Sequence, residues 1–340
     1  MDRGGKPVIN RWHALVASTV LLPTATAILL ISLPTIAHAD TAAAAIGVVA
    51  LTERTCRNDQ FLAGMRELGY LEGRDFRIVC RHAAGRYDQV AAAARELVAT
   101  RPAVILALGQ SFTSATIRAT REIPIVMVSS SDPVVAGFAA SYARPGGNAT
   151  GYTYYGDQLT AKRLELLKAI VPNLRHVAVL DNPDPSAELR KIYLHDTQEA
   201  AKLLGLKIRV YTARNEPEID QAFSRMIQDG MQAVYALPYV TFADFAQLIA
   251  DRARFHNLAS VHFVRRFPSF GGLMSYGPDY DLLHRRTANY VDKILKGAKP
   301  GELPIDKPER LEFVINRSTA DELGLTIPEN LLLRADKVIE

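Results

Sequence analysis

Val104-Ile105-Leu106-Ala107-Leu108-Gly109-Gln110-Ser111-Phe112-Thr113 carries the architecture in miniature. Five apolar residues, too few for a helix, stop at a glycine, and hydroxyl-bearing residues then lead directly into a helical pattern. The same unit recurs on either side. Ile46–Leu51 is a short apolar run and reads as a buried strand. Over 60–68, Phe61, Leu62, Met65 and Leu68 fall on one helix face, with Gly69 where a C-cap belongs. Phe76–Cys80 is a second strand and the Ala-rich Tyr87–Ala99 a helix. Thr113–Thr120 is a further helix, and Ile125–Ser129, after Pro124, a fourth strand. Strands alternating with helices predict a parallel sheet covered on both faces.

Arg144-Pro145-Gly146-Gly147-Asn148 interrupts this rhythm and reads as a connection between lobes. The alternation then restarts. Helices are predicted over 157–170, 187–204, 218–229, 242–255 and 280–295. Strands are predicted over 177–180, 207–211, 233–237, 260–263, 271–276 and 311–315. The fold class is therefore α/β, with two Rossmann-like, doubly wound lobes and a shared C-terminal section. Ligands of open parallel sheets bind beyond the carboxyl ends of the strands, so two such lobes facing each other make a cleft.

The chain has 340 residues, a charged fraction of 22% and a hydrophobic fraction of 48%. These are globular values and argue against disorder. Forty Lys and Arg against thirty-six Asp and Glu give a net charge of +4 with no dense basic run, which is no footprint for nucleic acid. Arg3, Lys6 and Arg11 precede an uncharged apolar stretch that ends in Ala37-His38-Ala39. That order is a signal peptide, residues 1–39, cleaved after Ala39; the alternative is an uncleaved anchor, because the stretch is long. The protein is expected in the periplasm.

Cys56 follows the first strand and Cys80 ends the second. If those strands are parallel neighbours, both thiols sit at one sheet edge, within disulfide range, and an exporting compartment permits the bond. Two unpaired core cysteines are the alternative.

The candidate ligand contacts are strand-end residues. Gln110, Ser111 and Thr113 follow the third strand at a helix N-terminus, where free N–H groups and a hydroxyl suit a carboxylate; plain capping explains the same residues. Ser130 and Asp132 follow the fourth strand, and Asp132 either meets an ammonium or caps a turn. Thr153 and Tyr154 follow the lobe connection, Asn182 and Tyr239 follow strands of the second lobe, and Ser275 and Tyr276 end the strand over 271–276. Aromatic and polar groups together fit an organic solute with an apolar body and a charged end; packing is the other reading of each tyrosine.

Enzyme signatures are missing: no G-x-S-x-G, no G-x-x-x-x-G-K-[ST], no H-E-x-x-H, and no G-x-G-x-x-G after the first strand. His256 and His262 are six apart without an acidic partner and read as surface or core residues, not metal ligands. No catalytic residue, metal or cofactor is expected.

Several segments together resemble a known family. They are Gly64-Met65-Arg66-Glu67-Leu68-Gly69-Tyr70-Leu71-Glu72-Gly73, Ser131-Asp132-Pro133-Val134 and Arg144-Pro145-Gly146-Gly147-Asn148-Ala149-Thr150-Gly151. Lys162-Arg163-Leu164-Glu165-Leu166-Leu167, Gly271-Gly272-Leu273-Met274-Ser275-Tyr276-Gly277 and Ile294-Leu295-Lys296-Gly297-Ala298-Lys299-Pro300 follow in order. Phe313-Val314-Ile315-Asn316 and Leu323-Gly324-Leu325-Thr326-Ile327-Pro328 complete the set. From about Ala45 onward the chain resembles the ABC transporter substrate-binding proteins that include tryptophan-binding lipoproteins. The resemblance implies a type-1 periplasmic-binding-protein fold with three crossovers. Its lobes would comprise 40–150 with about 265–297, and 151–264 with about 298–340. It also implies a monomer that captures a small-molecule solute and delivers it to a membrane permease driven by a separate ATPase. Relatives tend to bind aromatic amino acids. This chain departs in lacking a lipobox cysteine, in its Cys56/Cys80 pair and in its charged Glu53-Arg54 loop. A sensory module for a membrane kinase and an exported enzyme are the rival readings.

Overall fold

A computed structural model describes residues 43–130, 132–154, 159–184 and 187–340. The expected signal peptide lies outside the described residues, as do Ser131, Tyr155 and Asp157.

The first half runs β1 (Ala44–Ala50), α1 (Asp59–Glu67), β2 (Phe76–His82), α2 (Val90–Ala99), β3 (Val104–Leu108), α3 (Gln110–Ala119), β4 (Ile125–Ser129) and β5 (Ala149–Thr153). Then follow α4 (Leu159–Ile170), β6 (His176–Asp181), α5 (Ala187–Leu203), β7 (Lys207–Thr212), α6 (Glu216–Gln228) and β8 (Ala233–Ala236). Next come α7 (Val240–Asp244), α8 (Ala246–Phe255), β9 (Ala259–His262), β10 (Met274–Gly277), α9 (Tyr280–Leu295) and β11 (Ile305–Asp306). The chain closes with β12 (Glu312–Asn316), α10 (Arg317–Glu322), α11 (Glu329–Leu332) and β13 (Lys337–Ile339).

Two sheets result. The first has the order β11-β5-β4-β3-β1-β2, with every neighbouring pair parallel. The second has the order β13-β12-β10-β9-β8-β6-β7, parallel except where β10 meets β12. The continuous apolar runs are explained by this burial. Val104, Ile105, Leu106, Ile125, Val126 and Met127 are all sealed from solvent, because helices cover both faces.

Sheet membership divides the lobes differently from the expected partition. β5 belongs to the first sheet, so that lobe extends past residue 150. Its sequence, Ala149-Thr150-Gly151-Tyr152-Thr153, has no apolar run; Thr150 Oγ1 instead donates to the Leu303 carbonyl (2.8 Å), and Tyr152 packs edge-on against Tyr290 of α9. β10 lies in the second sheet, whereas α9 covers the first. Its Leu283, Ala288 and Val291 share a cluster with Phe61 and Met65 of α1. At Gly64 the two helices meet backbone to side: a Cβ there would fall 2.2 Å from the Arg285 carbonyl oxygen. β11 then returns to the edge of the first sheet before β12 joins the second. The chain therefore passes between the sheets three times, after β5, after β10 and after β11. The helix expected over 242–255 is two, α7 and α8, meeting at Phe245.

Candidate functional site

Carboxyl ends of strands from both sheets line one chamber of about 440 Å³. Val48–Ala50, Leu108 and Val128 come from the first sheet, and Pro238 and Phe263 follow β8 and β9 of the second. That volume lies within the range of small-molecule pockets, about 300–1,000 Å³. Its aromatic walls are Phe112, Tyr154, Phe263 and Tyr280. Tyr280 meets Tyr154 and Phe263 edge-on, with ring centroids 5.0 and 5.7 Å apart. Because Tyr154 opens the first passage between the lobes, directly after β5, and Tyr280 begins α9 after β10, this trio sits where the lobes join.

A smaller nook of about 20 Å³ adjoins the chamber and shares Gly109, Phe112, Tyr154, Pro238 and Val240 with it. Its floor is the start of α3. Gly109 is the N-cap, at φ 134° and ψ 154°, and without a side chain it cannot cap the helix. The first-turn N–H groups of a helix have no intrahelical acceptor, and Gly109 supplies no side-chain one. Beside them Ser130 is 2% exposed, and its Oγ has no hydrogen-bond partner among the described residues.

The expected contacts divide. Gln110, Ser111, Ser130 and Tyr239 line the nook, and Tyr154 lines both spaces. Gln110 Oε1 accepts from Ser129 Oγ, and Tyr239 donates to Asp181 Oδ1 (3.1 Å). The other expected contacts line neither space. Thr113 is fully buried and donates to the carbonyls of Gly109 (2.9 Å) and Ala107 (3.2 Å), so its hydroxyl belongs to the helix. Asp132 closes a turn instead of facing a ligand: it accepts from the N–H groups of Val134 (2.8 Å) and Val135 (3.1 Å) and from the Tyr142 hydroxyl (3.0 Å). Partial burial pulls its carboxyl up, but those bonds bring it below the usual range. Thr153 is a buried strand residue. Asn182 donates to Thr241 Oγ1 (3.1 Å) behind the nook. Ser275 is buried with its Oγ toward the Arg265 carbonyl, and Tyr276 packs edge-on against Phe313 while its carbonyl accepts from Arg163 Nε (2.8 Å).

Sequence reasoning missed the polar side of the chamber, which comes from the turn after β1, the start of α9 and, through Arg265 and Arg266, the loop after β9. Arg54, Thr55, Asn58, Asp279, Asp281 and His284 line it. Asn58 caps α1 through the Phe61 N–H (2.9 Å), and its Nδ2 lies 3.1 Å from His284 Nδ1. Burial pushes His284 down to about 4, against the upward pull of Asp281 and Asp279. The ring is therefore neutral, Nδ1 accepts from Asn58, and the proton sits on Nε2. Asp279 caps α9 (3.0 Å to the Leu282 N–H), whereas Asp281 has no ion-pair partner among the described residues. The loop after β1 did contain one visible signal, the charged Glu53-Arg54 pair.

The lobes touch in front of the chamber. Arg54 of the first lobe lies 3.2 Å from Asp244 of α7 in the second. The Tyr87 hydroxyl lies 3.1 Å from Thr241 Oγ1 of the same short helix. Cys56 and Cys80 form a disulfide with Cα atoms 5.7 Å apart, tying the turn Glu53–Cys56 to β2. Among the described residues no group of three His, Cys, Asp or Glu side chains is placed to hold a metal, and no helix is long and apolar enough to cross a membrane.

The family described as ABC transporter substrate binding protein matches residues 45–339. This chain belongs to that family. It is a family of solute-binding proteins, and its members are typically extracytoplasmic. A tyrosine-binding protein of Clostridioides difficile (strain R20291) is 24% identical over 265 residues, covering 78% of this chain and 75% of the relative. The crystal structure of an ABC domain in complex with L-Trp from Streptococcus pneumoniae superposes with a TM-score of 0.74 at 24% identity, over 87% of this chain and 100% of that one. A conserved domain protein from Vibrio cholerae gives 0.73 at 28% identity, over 87% and 99%. These neighbours have the type-1 periplasmic-binding-protein fold.

Proposed function

We propose that this family member is the periplasmic receptor of an ABC import system, and that its solute is an amino acid with an apolar or aromatic side chain. The observation that carries the reading is the join between the chamber and the nook: an aromatic-walled space opens onto an uncapped helix start with a buried, unpartnered hydroxyl. The solute carboxylate sits at the first-turn N–H groups of α3 with Ser130 and Ser111, where the positive end of the helix dipole favours an anion. Its side chain lies among Phe112, Tyr154, Phe263 and Tyr280. Its ammonium faces Asp281, the role first expected of Asp132. The names of the tyrosine-binding relative and the L-Trp complex support this class of solute.

Contact with both lobes makes the solute bind the closed arrangement more tightly than the open one, and only that difference shifts the equilibrium. The closed monomer then docks on a membrane permease served by a separate ATPase.

Thermal unfolding with L-tryptophan, L-tyrosine, L-phenylalanine and L-leucine tests the reading. A bound amino acid at 100 times its Kd stabilises by about 2.7 kcal/mol. Tryptamine, which lacks the carboxylate, should fail to stabilise. No shift with any amino acid would remove the solute class, and tryptamine acting as well as L-tryptophan would remove the carboxylate from α3.

A further inference from the structure

The turn between β1 and α1 does more than line the chamber. It runs Glu53-Arg54-Thr55-Cys56 and is fixed at both ends. At its start Thr55 Oγ1 accepts from the Thr52 N–H (3.1 Å) and donates to the Thr52 carbonyl (2.9 Å). At its end Cys56 is bonded to Cys80, which sits in β2 in register with Val48. Between these anchors the turn projects Arg54, 73% exposed, across the lobe boundary to Asp244, which is 25% exposed. Asp244 ends α7, whose Val240 and Ala243 also wall the chamber.

We propose that Arg54 and Asp244 are a closing latch, and that the Cys56–Cys80 bond is its fixed post: a set of positioning residues that sets how tightly the protein holds its solute. The inference rests on the solute-capture reading in taking lobe closure as the working motion.

The two partners depend on each other unequally. An exposed ion pair contributes little. Asp244 is only 25% exposed, because α7 lies against the turn Glu53–Cys56 of the first lobe. A half-buried carboxylate without a counter-charge is costly, and losing its partner costs more than losing both. Burial raises the Asp244 carboxyl above its ordinary range and Arg54 pulls it back, which agrees with that asymmetry. Arg54 reaches Asp244 only from a turn held in place. A loose turn would spend chain entropy at every closure. The disulfide removes that freedom in advance, and preorganisation appears as affinity.

Calorimetric titration of L-tryptophan and L-tyrosine, with small-angle X-ray scattering for closure, tests this on wild type, R54Q, D244N, R54Q/D244N and C56S/C80S. R54Q should weaken binding about tenfold. D244N should cost less than R54Q, and the double variant should recover most of the R54Q loss. C56S/C80S should weaken binding too, and adding R54Q to it should cost little more, because both act through one contact. Arg54 and the Tyr87 hydroxyl are the charged or titratable groups that act on Asp244. Lowering the pH should therefore narrow the gap between R54Q and wild type, because the raised carboxyl takes up a proton more readily once Arg54 is gone. Arg54 is exposed, so R54Q leaves the fold intact, and a melting curve checks this. Unchanged affinity and scattering in R54Q overturn the latch, and fully additive losses overturn the role of the disulfide. If wild type binds neither amino acid, the solute assignment fails. Scattering of the ligand-free proteins then judges the latch: a more expanded R54Q supports it, and superimposable profiles overturn it.

Discussion

His262 shows how a titratable side chain can serve the core. It is fully buried and stacks between Phe263 and Phe267, with ring centroids 4.5 and 4.8 Å away. Its Nδ1 accepts from the Val264 N–H (3.0 Å), so the ring is held neutral. Burial, then the nearby Arg163 charge, push it down to about 3 from the ordinary 6.5. The sign follows from linkage: below pH 6.5 the unfolded chain takes up a proton that the folded chain refuses. Stability is therefore complete above about pH 6.5 and declines as the pH falls toward the folded value. His284, pushed down to about 4, adds to the same decline. The melting temperature should drop between pH 6.5 and 4.5, before most carboxylates titrate. His262→Asn keeps an acceptor for Val264 without a titrating ring. It should flatten the pH slope while leaving part of it to His284; an unchanged slope would refute the assignment. The sequence already placed this histidine among core or surface residues, because no acidic partner stands near it in the chain.

Elements were readable where their residues bury both faces, and less so where they make polar contacts. β1, β3 and β4 are apolar runs and sit where the pattern puts them. β5 has no such run and is held by Thr150 and by Tyr152 against α9, contacts more than a hundred residues away in sequence. Local pattern cannot register them. The candidate site follows the same division. The start of α3 is legible because a strand, a glycine and hydroxyl residues stand in sequence. The partnership of Asn58 with His284 joins residues 226 apart. It also gives an element-level test. Asn58 caps α1 and donates to His284, so Asn58→Ala should cost about 1 kcal/mol of stability and also weaken solute binding. Asn58→Asp should keep the cap and the stability, because a carboxylate accepts from Phe61, but lose the donor to His284. Chemical denaturation separates the two variants, and equal stability losses would show that the cap is unimportant.

At the scale of the molecule, polar contacts between the lobes bear on the proposed balance between open and closed, and one of them lies at Thr241. Thr241 is 5% exposed and is shared: Asn182 of its own lobe donates to its Oγ1, and Tyr87 of the other lobe lies 3.1 Å away. Thr241→Val keeps the shape and strands both polar partners. Binding should weaken about fivefold to tenfold, in proportion to a buried hydrogen bond, while the far-ultraviolet spectrum stays the same. An unaffected affinity would mean that the lobes close without this contact.

The three passages between the sheets also govern the order in which the chain can fold. α9 seals the cluster built on Phe61, Met65 and Val104, and β11 supplies the last strand of that sheet. Domains tend to assemble from the amino end as synthesis proceeds, but here the first lobe stays without one wall until residues 280–306 have emerged. The second lobe likewise waits for β12 and β13. A nascent chain of this protein should therefore remain pliable until it is nearly complete, a state in which it can still be threaded through a narrow pore.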